Sequence, residues 1–235
     1  MIRVEDGGDV RVVTLDRPER RNALTPAVLE KLETAVTDCA APVVYLRGAG
    51  EAFCAGADLS TVATVAASDP EAVEPFVRRG QAVADAIESS PSVVVAGIDG
   101  AARGGGVELA LACDMRLATT DATFGEPGVT FGLFGAWGGT VRLPEVIGMG
   151  DALDFSLSGR VIDAEEALRI GLVSRVVDSP RAVAEQVAEN DPLALEHVKR
   201  RVRDRGPKSE QEDAEVAAFE ALVDEHADDL RELGE

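Results

Sequence analysis

The feature that most restricts the fold of this chain is the alternation of short apolar runs with segments of helical periodicity. Val10–Leu15, Val43–Leu46, Val93–Ile98 and Met115–Ala118 are the four apolar runs. A wholly apolar run such as Val93–Ile98 is typical of a strand that is buried on both faces of a parallel sheet. Strands that alternate with helices predict an α/β core.

The segments between and after these runs carry apolar residues at helical spacing. Asp69-Pro70 interrupts one of these segments, because proline ends a helix before it. Helical patterns dominate after Gly150, so the final quarter of the chain is expected to be a separate docking element. The predicted helices are Thr25–Cys39, Leu59–Ser89, Val107–Cys113, Ala164–Ile170 and Gln211–Leu233.

The charge of the chain excludes several kinds of partner. Its 23 Lys and Arg stand against 43 Asp and Glu, which gives a net charge of −20, so nucleic acid is not expected to bind. No window holds 18 consecutive apolar residues and the start has no signal-peptide pattern, so we expect no membrane association and a cytoplasmic location. The acidic residues are spread along the whole chain, which favours a halophilic surface whose self-repulsion is screened by salt.

The metal-ligating residue types are scattered. Cys39, Cys54 and Cys113 lie far apart and form no CxxC pair, and the histidines His197 and His226 stand in charged helical segments. This spacing predicts neither a metal site nor a redox dithiol. We expect the three cysteines to be small buried apolar residues.

Gly104-Gly105-Gly106 follows the apolar run Val93–Ile98 and precedes a helical pattern. Such a place directs unpaired N–H groups and the positive end of a helix dipole at the space in front of it, so it is able to hold an oxyanion. It is not a phosphate loop or a dinucleotide fingerprint, because neither GxxxxGK[ST] nor GxGxxG is present. A tight turn that requires positive φ is the alternative interpretation.

Two further features stand beside glycines. Glu108 lies in the first turn of an otherwise apolar helical pattern, where a carboxylate either complements the helix dipole or takes part in chemistry. Ala55-Gly56-Ala57-Asp58-Leu59 follows the second apolar run, and Asp58 is placed to cap the helix that comes next.

Ten ordered blocks of residues, spread over most of the chain, form a recognisable pattern. They are Asp16-Arg17-Pro18, Asn22-Ala23-Leu24, Phe53–Leu59, Ile98–Ala110, Cys113-Asp114, Phe124–Pro127, Gly138-Gly139-Thr140, Arg142-Leu143-Pro144, Ser158-Gly159-Arg160 and Ala164–Val173. Together they resemble the enoyl-CoA hydratase and isomerase family, also called the crotonase family. The resemblance implies a crotonase-type spiral of ββα units over residues 1–175 that holds an acyl-CoA site, and a C-terminal helical oligomerisation region over residues 176–235. It also implies assembly into a homotrimer or a dimer of trimers.

The resemblance further implies an acyl-CoA thioester substrate and no separate cofactor, since CoA is part of the substrate. Two backbone N–H groups bind the thioester oxygen in the family, and they match Ala57 and Gly105. Donors held in place in this way stabilise the enolate that forms when charge moves onto that oxygen. The first family glutamate, in the pattern GGGxE, matches Glu108, whereas the second, in the pattern FGxPE, falls on Gly128.

The missing second glutamate leaves the reaction open. Glu126, two residues upstream of Gly128, is the nearest carboxylate. Ala136 stands where some isomerases and dehalogenases of the family carry an additional Asp, which speaks against those subgroups. The favoured reaction is the reversible hydration of a 2-enoyl-CoA, with Glu108 as acid or base. The alternatives are isomerisation, decarboxylation or thioester hydrolysis, or a catalytically weak acyl-CoA-binding subunit.

Other residues are expected to contact the substrate. Phe134 and Trp137 replace a run of small residues of many family members, so they either reshape the acyl pocket or serve ordinary packing. Arg20 is placed to meet a phosphate of CoA. The residues that the resemblance assigns to substrate binding are Arg20, Ala23, Ala55, Asp58, Leu59, Glu126, Gly128, Phe134 and Trp137.

Overall fold

A computed structural model describes residues 1–232, and within them nine strands form two sheets. The larger sheet has the order β1-β2-β3-β4-β6-β9, and the smaller sheet has the order β5-β7-β8. The larger sheet is parallel except for the antiparallel pair of β1 and β2. The strands are β1 (Ile2–Gly7), β2 (Val10–Leu15), β3 (Val43–Gly48), β4 (Val93–Ile98), β5 (Ala101–Arg103), β6 (Met115–Ala118), β7 (Thr123–Gly125), β8 (Val161–Asp163) and β9 (Arg175–Val176).

Helices cover both faces of the larger sheet and fill the C-terminal part of the chain. They are α1 (Pro26–Thr37), α2 (Leu59–Ala66), α3 (Val73–Ser89), α4 (Gly105–Ala112), α5 (Gly139–Ser158), α6 (Ala164–Arg169), α7 (Pro180–Ala188), α8 (Pro192–Val202), α9 (Lys208–Glu225) and α10 (Ala227–Glu232). Within the described residues, 3₁₀ helices span Pro18–Arg20, Pro70–Ala72 and Pro127–Phe131. The α/β core predicted from the sequence is confirmed.

The four predicted strands are all present, as β2, β3, β4 and β6. The predicted interruption at Asp69-Pro70 is also confirmed, because α2 ends at Ala66 and a 3₁₀ helix begins at Pro70. The prediction of one helix over Gln211–Leu233 is wrong: the backbone of His226 leaves the helical region and separates α9 from α10. Leu233 itself lies outside the described residues.

The sequence did not predict β1, β5, β7, β8 or β9. Four of these strands have only two or three residues, and the fifth, β1, is an exposed edge strand, so all five carry little apolar periodicity. The three short strands of the smaller sheet nevertheless position the functional segments, because β5 leads directly into the glycines before α4 and β7 leads into Glu126.

The C-terminal helices are tied to the core by a buried cation. The side chain of Lys199 in α8 is 6% exposed, and its Nζ lies 2.8 Å from Oδ2 of Asp114. Nζ also donates to the carbonyl oxygens of Ile87 and Ser92, at 3.1 and 2.8 Å. Arg203 donates to the other oxygen of Asp114 at 2.7 Å. These contacts join the end of α3 and the start of β4 and β6 to α8.

Replacing this buried lysine is therefore expected to destabilise the fold. Lys199→Met keeps much of the side-chain volume but removes the donor from the carbonyl oxygens of Ile87 and Ser92, while Asp114 keeps its hydrogen bonds from Arg203 and from the N–H of Val94. We expect the free energy of unfolding to fall by about 3 kcal/mol, at the lower end for a broken buried ion pair because Arg203 still neutralises Asp114. Urea denaturation of the variant, beside the exposed control Lys208→Met, measures the difference, and equal losses for the two variants would contradict it.

Candidate active site

The first candidate oxyanion donor is the N–H of Gly105. Gly104 has φ 48° and ψ −120°, a conformation that suits glycine, and it turns the chain from β5 into α4. Gly105 is the first residue of α4, so its N–H has no acceptor within the helix. The tight turn and the unpaired N–H group at a helix N-terminus, both predicted from the sequence, are thus present, and the positive end of the helix dipole adds to the field in front of Gly105.

The second candidate donor is the N–H of Ala57. Leu24 pairs across a parallel bridge with Ala57, and it does so by donating to the carbonyl of Gly56 and accepting from the N–H of Asp58. The N–H of Ala57 itself therefore points away from Leu24. A Cβ atom placed on Gly105 would lie 3.4 Å from the nitrogen of Ala57, which shows how close the two donors are.

Gly56 makes this approach possible. Its φ is +84°, and a Cβ atom placed on it would lie 2.6 Å from the carbonyl oxygen of Arg103 and 2.9 Å from the nitrogen of Gly105. Within residues 1–232, neither the Ala57 nitrogen nor the Gly105 nitrogen donates to a protein acceptor. Two fixed N–H groups side by side without an acceptor are able to hold an oxyanion, and they make up the candidate oxyanion-binding site.

Glu108 lies one helical turn beyond Gly105 and is only 2% exposed. Its Oε1 accepts hydrogen bonds from the backbone nitrogens of Trp137 and Gly139, each at 2.7 Å. Burial raises the pKa of Glu108, while these two hydrogen bonds oppose that rise by stabilising the carboxylate. Oε2 has no hydrogen-bond partner among the described residues, so it remains free for a ligand.

Glu126 supplies a second buried carboxyl group. It is 8% exposed, it follows β7 directly, and its Oε1 is buried with no hydrogen-bond partner in the described chain. Burial raises the pKa of Glu126 to about 8, and the negative charge of Glu108 adds to this rise. Glu126 therefore holds a proton at neutral pH, whereas Glu108 is the member of the pair whose carboxylate receives two hydrogen bonds. Environments that separate two carboxyl groups in this way are typical of acid and base partners.

Gly128 leaves no space for a side chain of its own. A Cβ atom placed there would lie 2.9 Å from Cα of Phe134 and 3.0 Å from the carbonyl oxygen of Leu133. The N–H of Leu133 also donates to the carbonyl of Gly128 at 2.9 Å, which closes the loop tightly. The backbone of this loop thus occupies the position beside Gly128.

Trp137 lies directly against the oxyanion-binding site. Its indole is 5% exposed, and a Cβ atom placed on Gly105 would lie 2.5 Å from its Cζ3. On its other side the indole meets Gly80 of α3 and packs against Phe76, whose ring centroid is 5.8 Å away. Phe134, by contrast, is 67% exposed.

Known proteins resemble this chain over most of its length. The sequence model for enoyl-CoA hydratase/isomerase matches residues 5–231. The chain belongs to the enoyl-CoA hydratase/isomerase family. The short-chain-enoyl-CoA hydratase of Clostridium acetobutylicum is 36% identical over 203 residues, which cover 82% of this chain and 77% of that protein. The crotonyl-CoA hydratase of Syntrophomonas wolfei is 38% identical over 179 residues, covering 74% and 68%.

Solved structures of the family have the same fold. The enoyl-CoA hydratase of Bacillus anthracis superposes with a TM-score of 0.88 at 35% identity, over 94% of this chain and 90% of that one. The enoyl-CoA hydratase of Thermoplasma volcanium superposes with a TM-score of 0.89 at 29% identity, over 99% and 96%. The crotonase-type fold and the helical C-terminal region predicted from the sequence are confirmed. No helix among residues 1–232 is long and apolar enough to cross a membrane.

The other residues that the family resemblance assigns to substrate binding lie in two paired segments. One segment carries Ala57, and the other runs from Arg20 to Leu24. Asp58 caps α2 by accepting from the N–H of Ser60, as the sequence predicted. Leu59 is 67% exposed, and Arg20 is exposed at the end of the 3₁₀ helix Pro18–Arg20. Ala23 accepts a hydrogen bond from Arg17 through its carbonyl, and Ala55 donates one to the carbonyl of Arg21. Their contact with CoA stays a prediction.

Sequence reasoning did not single out Asn22, which holds this region together. Asn22 is 1% exposed, and its Nδ2 donates to the carbonyls of Ala49 and Ala52 at 2.9 and 2.7 Å. Its Oδ1 accepts from the N–H of Arg17. Its φ of 59° lies in the left-handed region, which asparagine tolerates better than most residues. In the sequence, the only indication of its importance is that Asn22 belongs to the family block Asn22-Ala23-Leu24.

The close approach at Gly56 can be tested with a matched pair of glycine variants. Gly56→Ala adds a methyl group that clashes with backbone atoms at a position of positive φ, whereas Gly8→Ala adds one at φ +70° with nothing within 4 Å. Both variants carry the conformational cost of about 1 kcal/mol, but only Gly56→Ala separates β5 and α4 from the Ala57 loop. We expect Gly56→Ala to lose at least about 2 kcal/mol more in urea denaturation. Equal losses of unfolding free energy in the two variants would show that the Ala57 loop moves to accommodate the added methyl group without further cost.

Proposed function

We propose that this chain catalyses the reversible addition of water to a 2-enoyl-CoA, which yields a 3-hydroxyacyl-CoA. The observation that carries the proposal is the meeting of two free N–H groups with two buried carboxyl groups. The N–H groups of Ala57 and Gly105 receive the thioester oxygen and stabilise the negative charge that moves onto it when the enolate forms. No separate cofactor is needed, because CoA is part of the substrate.

The two carboxyl groups divide the proton transfers. The carboxylate of Glu108 takes a proton from a water molecule as the water oxygen bonds to C3. Electrons of the C2–C3 double bond move onto the thioester oxygen, and the protonated Glu126 then delivers its proton to C2 as the carbonyl re-forms. Water is thereby added across the double bond, and Glu108 ends with the proton that Glu126 lost. Exchange with solvent restores the starting state.

The presence of Glu126 favours hydration over the other reactions considered. Isomerisation, decarboxylation and thioester hydrolysis use the same oxyanion donors but need fewer carboxyl groups. A subunit that only binds acyl-CoA has no need for a buried carboxyl without a hydrogen-bond partner, whose desolvation costs stability. The relatives from Clostridium acetobutylicum and Syntrophomonas wolfei are named as hydratases, which supports hydration as well.

Amide variants test the roles of the two glutamates. Glu108→Gln and Glu126→Gln preserve the shape of each side chain but cannot transfer a proton. We expect each variant to bind crotonyl-CoA yet hydrate it at least about 10²-fold more slowly. Turnover is followed by loss of the enoyl thioester absorbance, and binding is measured separately by calorimetry. Full turnover by Glu126→Gln would remove Glu126 from the mechanism, and product other than 3-hydroxybutanoyl-CoA in the wild type would exclude hydration.

The pH dependence gives the protonation states. Hydration needs Glu126 protonated, so kcat/KM in this direction is expected to fall as the pH rises through about 8. The folded state also binds more protons than the unfolded state above pH 4.5, so the free energy of unfolding declines between pH 4.5 and about 8. Glu126→Gln is expected to remove the part of this decline in unfolding free energy that is due to the titration of Glu126. An identical decline in the variant would show that Glu126 titrates normally.

Assembly into trimers, or dimers of trimers, forms part of the proposal, as does the division into a core over residues 1–175 and an assembly region over residues 176–235. The exposed apolar residues Val216, Phe219 and Val223 lie on one face of α9, at spacings of three and four residues. Val198 and Val202 add exposed apolar area on α8. Apolar faces of this kind support contact with a second copy of the chain.

The halophilic surface is tested by dilution. Lowering the salt from 1 M to 0.1 M lengthens the Debye length from about 3 to about 10 Å, so subunits of charge −20 repel one another more strongly. We expect the assembly to dissociate or melt at a lower temperature in 0.1 M NaCl. Light scattering and thermal unfolding at both concentrations measure this. The same mass and melting temperature at both would show that the acidic surface is no salt adaptation.

A further inference from the structure

Trp137 fills the space between the two candidate N–H donors and α3. The indole fills the space between α3 and the first turn of α4, because it touches the bare Cα positions of Gly80 and Gly105. Phe76 backs the ring on the α3 side, and the side chain of Gln81 fixes the loop by donating to the carbonyl of Ala136 at 3.0 Å. An acyl chain that starts at the two N–H donors therefore finds no space towards α3.

An apolar cavity of about 300 Å³ lies on another side of the site, between α5 and the 3₁₀ helix Pro127–Phe131. Its inner wall includes Glu126, Gly135 and Gly139. Gly135 and Gly139 are also the residues whose added Cβ atoms would touch the carboxyl group of Glu108, so the cavity begins at Glu126 and at two glycines that lie against Glu108. The outer wall is formed by side chains of α5 and the preceding loop, namely Val129, Phe134, Leu143, Met149, Leu153 and Leu157.

We propose that Trp137 directs the acyl chain past Glu108 and Glu126 into this cavity, so that the enzyme prefers enoyl-CoA thioesters with tails longer than four carbons. This inference rests on the proposed function, since it takes the acyl-CoA at the two N–H donors as its starting point. The occupant is the acyl tail, because the cavity is lined by Glu126, one of the two carboxyl groups at which C2 and C3 react in the proposed function. Its size, at the small end of ligand pockets, fits one tail of moderate length.

Each methylene group that enters such a cavity adds up to about fourfold in affinity. We expect octanoyl-CoA, a saturated thioester that does not react, to bind at least about tenfold more tightly than butanoyl-CoA in calorimetry. Ser156 lines the cavity from α5 and is half-buried, so Ser156→Phe places a ring inside it. This variant is expected to lose the preference for octanoyl-CoA and to keep its affinity for butanoyl-CoA.

Two further variants locate the tail. Val141→Phe adds the same ring to α5 at a residue that is 65% exposed and outside the cavity, so the preference for octanoyl-CoA should remain. Trp137→Ala, combined with Ser156→Phe, opens the route towards α3 and should restore at least about fivefold in octanoyl-CoA affinity. Circular dichroism checks that each variant is folded, and the result for Ser156→Phe stands without the double variant.

The outcomes separate this inference from the proposed function. Equal affinity of the wild type for the two thioesters, or a preference that survives in Ser156→Phe, overturns the tail assignment. A change in assembly mass in Ser156→Phe without loss of the preference shows that a second copy covers the cavity, which also overturns it. If chain-length preference behaves as expected but crotonyl-CoA is not hydrated, the tail assignment holds and the proposed reaction fails. If neither thioester binds, both fail.

Discussion

The contact of Gly56 with the backbone of Arg103 and Gly105 is the constraint on which the site depends. It joins a loop after β3 to the start of α4, two segments that are separated by almost fifty residues of sequence. Two bridges, Leu24 with Ala57 and Cys54 with Ala102, fix the loop from either side. Both N–H donors are therefore held by the fold before any ligand arrives, which is the condition under which such donors stabilise developing charge most effectively.

The carboxyl pair follows from the same framework. Glu108 is placed one turn beyond Gly105 by α4, and the hydrogen bonds from Trp137 and Gly139 hold its Oε1 on the start of α5. Glu126 has no hydrogen-bond donor to its buried Oε1, and burial together with the charge of Glu108 raises its pKa to about 8. Trp137 thus has two roles: its N–H orients Glu108, and its indole limits the space at the oxyanion donors.

Much of this arrangement could be predicted from the sequence, and the remainder depended on geometry that patterns do not encode. The apolar run Val93–Ile98 predicted a buried parallel strand, and the glycines after it predicted free N–H groups at a helix start. The burial of Glu126 could not be predicted, because the direction of its side chain is set where β7 passes into a 3₁₀ helix of five residues. The break at His226 escaped prediction because α9 and α10 share one charged, weakly periodic pattern.

The central claim is that one thioester meets both N–H donors and both carboxyl groups at once. The crystal structure of the protein with bound butanoyl-CoA tests it most directly. The account predicts the thioester oxygen within about 3 Å of the nitrogens of Ala57 and Gly105, with C2 and C3 between the carboxyl groups of Glu108 and Glu126. A thioester oxygen bound elsewhere, or an acyl chain that runs away from Glu126, would contradict it.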